Sequence, residues 1–152
     1  MTISHTSKEW NDYTERFHKA LAATNKKLFT WFTAKLEDGL TGQQCFILKQ
    51  IADEERMTSS LLAERMEVKP SAITVIIDRL VQNEFVERLN DPRDRRVTIL
   101  KLTEKGAAAL EKASRQFRDA LTRLLEVLDE AEIKPFIQSF ERIAEEARKL
   151  ES

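Results

Sequence analysis

Three arginines within four positions, Arg93, Arg95 and Arg96, sit in a segment that reads Asn90-Asp91-Pro92-Arg93-Asp94-Arg95-Arg96. Guanidinium groups this close together have no place in a core. They suit an edge that holds phosphate oxygens with planar, permanently charged donor forks. Asp91 precedes them and Asp94 stands among them, so the cluster carries its own counter-charges. The chemistry implied is recognition of a polyanion rather than bond-making. No nucleophile–base pair, glycine-rich phosphate loop or metal-ligand spacing accompanies the arginines, so the chain is expected to be non-enzymatic and to need no metal or cofactor.

The charge is local. Over its 152 residues the chain has a net charge of -1. Residues 88–101 hold Arg88, Arg93, Arg95, Arg96 and Lys101 against only Asp91 and Asp94, whereas residues 126–152 hold eight acids and four bases. A neutral body with one basic edge fits a protein that meets a polyanion along that edge alone. Cys45 is the sole cysteine, which excludes an intrachain disulfide. It forms no metal-ligand spacing with His5 and His18. No apolar run approaches the ~20 residues of a membrane span. The N-terminal stretch lacks an apolar signal core, so the expected location is the cytoplasm, with no membrane partner.

The segment bearing the arginines needs elements to position it. Phe85 to Leu89 and Val97 to Leu102 read as two strands joined by residues 90–96, a hairpin with a basic tip. Val97, Ile99, Leu100 and Leu102 place apolar groups on both faces of the second strand. Before the hairpin lie two short helices. Thr58 caps the first, Ser59 to Met66, and Glu67-Val68-Lys69 is a tight connection. Pro70 stands at the first position of the second, which runs to about Asn83. That helix directs Ile73, Ile76, Ile77 and Leu80 to one face and leaves Ser71, Thr74, Val75, Asp78, Arg79 and Gln82 on the other. Small polar residues near the start of a second helix leave room for base edges; an ordinary solvated face has the same composition. Two helices across a tight connection followed at once by a basic hairpin make a winged helix-turn-helix, and the consecutive order favours DNA binding over either part alone.

Longer helices flank this unit. Residues 7–37 carry a stripe of Trp10, Tyr13, Phe17, Leu21, Leu28, Trp31 and Leu36, ending near Gly39. Thr41 and Gln44 form a capping box for a helix with Cys45, Leu48, Ile51 and Ala52 on one face, which Asp53-Glu54-Glu55-Arg56 breaks. Thr103 caps a helix over residues 104–128 whose inward positions are Ala107, Leu110, Ala113, Phe117, Leu121, Leu124, Leu125 and Leu128. Asp129 to Glu132 resembles another capping box, and Pro135 suggests that the regular part of the last helix starts at Lys134 or Pro135. The apolar faces of these helices exceed what the small unit between them can cover, so a partner chain is expected over them. The fold class is therefore mainly α with a small β-hairpin wing.

The chain resembles the MarR family of transcriptional regulators along nearly all its length. The resemblance is carried by Gly39-Leu40-Thr41 with Gln44, by Leu62-Ala63-Glu64-Arg65-Met66, by Pro70-Ser71-Ala72-Ile73-Thr74, by Asp78-Arg79-Leu80 and by Phe85-Val86-Glu87-Arg88. The most specific part is the wing, Asp91-Pro92-Arg93-Asp94-Arg95-Arg96, leading to Leu102-Thr103 and Gly106. It implies one unit over residues 1–152, with a winged helix-turn-helix at 40–103 flanked by N- and C-terminal dimerisation helices at 7–38 and 104–150. It also implies a homodimer that binds a palindromic operator in double-stranded DNA as a repressor and responds to a small anionic or phenolic effector. The DNA-binding residues would be Lys69, Ser71, Thr74, Val75 and Arg79 on the recognition helix and Arg93, Asp94, Arg95 and Arg96 on the wing. Asp94 would orient Arg96 for the minor groove, while Arg93 and Arg95 would hold phosphates.

Four departures from the family pattern stand out. Val75 replaces a residue that is often basic or polar; it can touch a thymine methyl but donates no hydrogen bond. Lys69 stands where a Ser cap is common. Glu84 replaces a Gly, which passes the left-handed turn to Asn83. Cys45 lies at a core position of the second helix, away from the N-terminal cysteines of the family's thiol sensors, so redox sensing is not expected. A different class of function also fits the acidic total charge: a winged helix used as a protein-interaction module.

Overall fold

The computed structural model describes residues 8–36 and 39–150. The ends expected for the first helix at residues 7 and 37, and His5 with its part in the metal-spacing argument, lie outside the described residues. The elements are α1 (Lys8–Lys35), α2 (Gly42–Asp53), α3 (Ser59–Arg65), α4 (Pro70–Gln82), β1 (Val86–Asn90), β2 (Thr98–Leu102), α5 (Glu104–Leu125) and α6 (Glu130–Ala147). The fold is mainly helical with one antiparallel hairpin, as the patterning predicts. Among the described residues, no helix is long and apolar enough to cross a membrane. The chain divides into two compact units, one through Gln116 and one from Phe117, with the boundary inside α5.

The first unit is built around one core. Ile47, Leu48, Met57, Leu62, Ile73, Ile77 and Leu80 are fully enclosed, and Phe32 and Leu36 of α1 pack against the same cluster. Burying each of the large aliphatic side chains contributes about 1.5–3 kcal/mol relative to leaving it in water. On α2 the inward residues are Cys45, Ile47, Leu48 and Ile51; Ile47 takes a core place and Ala52, expected there, is exposed. Thr41 and Gln44 form the capping box, Gln44 N–H to Thr41 Oγ1 at 3.2 Å and Thr41 N–H to Gln44 Oε1 at 2.9 Å.

Both helices of the helix-turn-helix stop through a residue with positive φ. In α3 this is Glu67 (φ 53°), with Val68 N–H bonded to Ala63 O at 3.1 Å and Glu67 N–H to Glu64 O at 3.0 Å. In α4 it is Glu84 (φ 62°), with Phe85 N–H bonded to Leu80 O and Glu84 N–H to Val81 O, each at 2.9 Å. The paired bonds form a Schellman stop. This corrects the expectation for Asn83, which stays near φ -86°. The stop needs its left-handed residue one place further on, so that Phe85 can close back onto Leu80 and drive its ring into the core. The start of α4 has Pro70 at its first turn and no side-chain cap from Lys69.

Phe85 therefore belongs to the helix stop, and β1 begins at Val86 rather than at Phe85. The strands pair in register from Val86 opposite Leu102 to Asn90 opposite Thr98. Apolar residues on both faces of β2 are explained by Ile99 and Leu100, which are both buried. One neighbour of β2 is not a strand: Leu100 N–H bonds Met57 O at 2.8 Å, so the segment between α2 and α3 lies along the hairpin.

The Phe85 carbonyl also receives the N-terminus of α5. Thr103 N–H donates to it at 3.2 Å, Thr103 Oγ1 donates to Glu84 O at 2.5 Å, and Thr103 Oγ1 accepts Gly106 N–H at 3.0 Å. A Cβ on Gly106 would stand 1.9 Å from the Phe85 carbonyl oxygen, so only glycine permits this approach. On α5 the buried residues are Gly106, Ala109, Ala113 and Ala120, and Ala107, Phe117, Leu121 and Leu124 are exposed instead of inward. The helix ends at Leu125, short of Leu128.

In the second unit α6 begins at Glu130 and contains Pro135, contrary to the expected start at Lys134 or Pro135. Glu132 accepts the Asp129 N–H at 2.9 Å, which holds the first turn helical ahead of the proline. No residue of α6 is buried, and Phe136 and Phe140 stack 5.9 Å apart while remaining 44% and 42% exposed. Tyr13 and Phe17 of α1 are also exposed.

Gly106→Ala is expected to destabilise the chain by about 1–3 kcal/mol or more, because the backbone at Phe85 must move to admit a methyl group. Thermal or urea unfolding compared with Ala107→Gly, an exposed change in the same turn, checks this. Equal losses in the two variants would reject the close-approach argument.

Candidate nucleic-acid interface

The outward face of α4 presents Ser71, Thr74, Val75, Asp78, Arg79 and Gln82, all exposed, with Lys69 just before the helix. The pattern follows from helical spacing, because Ile73, Ile77 and Leu80 occupy the opposite face. Val75 is 54% exposed, a large apolar group offered to solvent. Thr74 Oγ1 donates to Pro70 O at 3.0 Å. Its hydroxyl hydrogen is committed to the helix, which leaves the oxygen lone pairs and the methyl group outward. Asp78 is tied to β1 by Arg88 Nη2 at 2.6 Å, an ion pair joining the helix to the hairpin.

The hairpin tip is organised by its two aspartates, which play different parts. Asp94 accepts the Arg96 main-chain N–H at 3.1 Å, Arg96 Nε at 3.1 Å and Arg96 Nη2 at 3.2 Å. This is a two-pronged pair, with Nη1 and the second Nη2 hydrogen left outward. The Arg96 side chain is 90% exposed. A solvent-screened surface pair of this kind adds little to stability, so its effect is to restrict the direction of Arg96. The Arg96 side chain, followed by its main-chain N–H, holds the Asp94 carboxyl below the usual carboxylate range.

Asp91 lies inward. Among the described residues it is the one charged side chain that is buried, at 1% exposure. Its carboxylate accepts the Arg93 N–H at 2.9 Å, Arg56 Nε at 2.7 Å and Arg56 Nη2. Its own N–H bonds Val97 O at 2.8 Å, and Val97 N–H bonds Asp94 O at 2.9 Å. The Arg93 amide, then the Arg56 guanidinium, holds its carboxyl below the ordinary value. Arg56 is the residue that sequence reasoning missed. It read only as part of a polar helix break, and its partner is 35 positions away, so no local spacing connects the two.

The basic residues of the hairpin are thus unequally available. Arg88 is bound to Asp78, and Lys101 Nζ donates to Glu55 O at 2.6 Å. Arg93 stands 3.6 Å from Glu55 with both groups exposed. Among the described residues, Arg95, Lys69 and Arg79 have no ion-pair partner. The outward cations are therefore Lys69 and Arg79 at α4 and Arg93, Arg95 and Arg96 at the tip, all within the first unit.

Cys45 sits in the core of α2, and burial pushes its thiol up to about 11. Burial therefore favours the protonated thiol at neutral pH, and such a thiol is an inert packing residue rather than a reactive one.

The sequence model of the MarR family matches residues 40–98. The HTH-type transcriptional repressor MdtR of Bacillus subtilis is 37% identical over 97 residues, which cover 64% of this chain and 63% of that protein. The chain spans 63%, 62% and 64% of the first three curated relatives it matches. Among solved structures, the YusO protein from Bacillus subtilis superposes with a TM-score of 0.72 at 30% identity, covering 92% of this chain and 98% of that one. A mutant MarR from Escherichia coli complexed with operator DNA gives 0.65 at 26% identity, covering 90% and 99%.

The Asp91 carboxyl carries a pH prediction. A group whose value is depressed by folding contributes stability above its unfolded value and loses it as pH falls through the folded one. Thermal melts between about pH 6 and about pH 3 should therefore show a shallower acid-side loss for Asp91→Asn than for the wild type. Glu54, depressed by Arg65, and Asp94 continue to contribute in both proteins. Parallel curves would show that Asp91 is not linked to acid unfolding.

Proposed function

The chain belongs to the MarR family of transcriptional regulators, and on that premise we propose that it is a homodimeric repressor of a palindromic operator, released by a small anionic or phenolic effector. The observation that carries the DNA part is the pairing, in one unit, of an outward polar face at the start of α4 with an arginine tip whose direction is restrained by Asp94. Residues 40–103 are the DNA-binding region in this reading. Support comes from the Escherichia coli relative described with operator DNA and from the Bacillus subtilis relative named a repressor.

The recognition helix enters the major groove by its N-terminal end. Ser71 is small enough to let a base edge approach. Thr74, with its hydrogen given to Pro70, accepts from an exocyclic amine of adenine or cytosine. Val75 meets a thymine methyl. Lys69 and Arg79 neutralise phosphates on either side, and Arg93 and Arg95 do the same from the wing. Arg96 enters the minor groove, where a narrow A·T-rich stretch has the strongest negative potential. With an apolar Val75 at the centre of the helix face, the wing supplies a larger share of binding than a more polar recognition helix would require.

A dimer is supported by the apolar groups left outward in each unit, Tyr13 and Phe17 in the first and Phe136, Phe140 and Ile143 in the second. The segments 7–38 and 104–150 are the dimerisation elements of this reading. The effector part rests on family membership.

Titration of labelled duplex at two salt concentrations tests the DNA reading. Affinity is expected to fall steeply with salt, and the preferred site to have half-sites about one helical turn (~34 Å) apart. Arg96→Ala should weaken binding by about 1–3 kcal/mol with melting unchanged, and Arg95→Ala should lower the salt slope by about one. A salt-insensitive, negligible affinity would favour the protein-interaction module instead. Sedimentation should give a dimer, and Phe136→Glu with Phe140→Glu should shift it toward monomer; a wild-type monomer at micromolar concentration would remove the symmetric-operator reading.

A further inference from the structure

We infer that Arg56, which lies outside the hairpin, is the residue that positions the wing for DNA. The inference rests on the DNA-binding reading of the wing and extends it to a residue outside both α4 and the hairpin. Between Asn90 and Val97 the chain has little hydrophobic anchorage: Pro92, Arg93, Arg95 and Arg96 are exposed and Asp94 and Val97 are half-buried. What turns inward is Asp91, and a buried carboxylate persists there only because donors surround it. Two of the three come from Arg56, through Nε and Nη2 on the same oxygen, Oδ2; the third is the Arg93 N–H on Oδ1. The guanidinium therefore ties the base of the tip to the segment between α2 and α3.

That segment meets the hairpin at further points. Leu100 N–H bonds Met57 O, Lys101 Nζ bonds Glu55 O, and Arg93 faces Glu55. Most of these contacts lie along β2 or act between exposed groups. Among the described residues, the Arg56–Asp91 pair is the one that joins this segment to a buried group where the tip leaves the strands. It fixes the Arg93 amide directly and, through the Asp91 N–H to Val97 O, the opposite side of the turn. Without it the arginines keep their charge but sample more directions, and ordering them on DNA costs more entropy. A positioning residue thus differs from a phosphate contact in a measurable way. Losing it lowers affinity at every salt concentration by a common factor, whereas losing a phosphate contact also lowers the salt slope by about one.

The test uses full-length wild type, Arg56→Ala and Arg56→Lys, each with two readouts. The first is amide hydrogen exchange without DNA. Arg56→Ala should speed exchange at Arg93 and Val97 by about tenfold, with the amides of Leu48, Ile73 and Ile77 unchanged. Arg56→Lys, which retains one charged donor, should recover much of the protection. The second is the affinity for a random-sequence DNA duplex across a salt series. Here Arg56→Ala should bind about tenfold more weakly with the slope preserved. Because Asp91 would be left buried without its partner, the double variant Arg56→Ala with Asp91→Asn serves as a folded control and should show the same loosened wing. Unchanged exchange at Arg93 and Val97 would overturn the anchor. Faster exchange with unaltered affinity would overturn the positioning role, and a slope lowered by about one would make Arg56 a phosphate contact instead. If the wild type itself shows no salt-dependent binding, the DNA reading fails, while the exchange data still decide whether Arg56 holds the wing.

Discussion

The carbonyl of Phe85 is the point on which the arrangement of α4, the hairpin and α5 depends. The chain leaves α4 through Glu84, whose positive φ lets Phe85 fold back onto Leu80. The Phe85 ring closes the core, and Lys105 lies over its face 4.8 Å from the centroid. The same carbonyl accepts Thr103 as α5 begins, and the missing side chain of Gly106 admits the helix. Helix α4, the hairpin and α5 therefore meet at one peptide group. Placing a non-glycine residue such as Glu84 in the left-handed region costs roughly 1–2 kcal/mol, and the paired hydrogen bonds and the buried ring together exceed that cost.

Electrostatics decides which of the basic groups remain for a partner. A nearly neutral chain gains a basic edge only if its cations are not all cancelled locally. Here Arg88 and Lys101 are drawn into the architecture, one by Asp78 and the other by a main-chain carbonyl. Arg95 projects without a partner among the described residues, and Arg96 projects with a partner that restrains it. Asp91 and Asp94 are three positions apart and equally polar in sequence, yet one is enclosed beneath the hairpin and the other is at its surface. The acidic residues within the arginine cluster thus hold and direct it as much as they neutralise it.

Much of this was legible in the residue order because it depends on local periodicity and capping. The Ile73, Ile77, Leu80 spacing identifies the buried side of α4 and so the outward side. Thr41 with Gln44, Pro70 and Thr103 mark helix starts by hydrogen-bonding chemistry that acts within four residues. Errors arose where distant contacts prevail over local preference. Asn83 is the better left-handed residue in isolation, but the return of Phe85 to Leu80 requires the turn at Glu84. Pro135 disfavours a helix interior, yet α6 begins five residues before it, at a turn that Glu132 secures. Ala107 and Ala52 follow apolar periodicity and are nonetheless exposed, since a stripe shows which way a helix can face but not how far its neighbour extends.

By itself the sequence determined the order of elements, the outward composition of α4 and the density of charge at the hairpin tip, all of which follow from interactions between residues a few positions apart. Only the tertiary structure decided which arginines are available, that Asp91 is buried, and that its counter-charge is Arg56. The physical reason is that burial and ion pairing depend on distance in space. A guanidinium and a carboxylate 35 residues apart become partners only once the core has brought the segment before α3 against the hairpin.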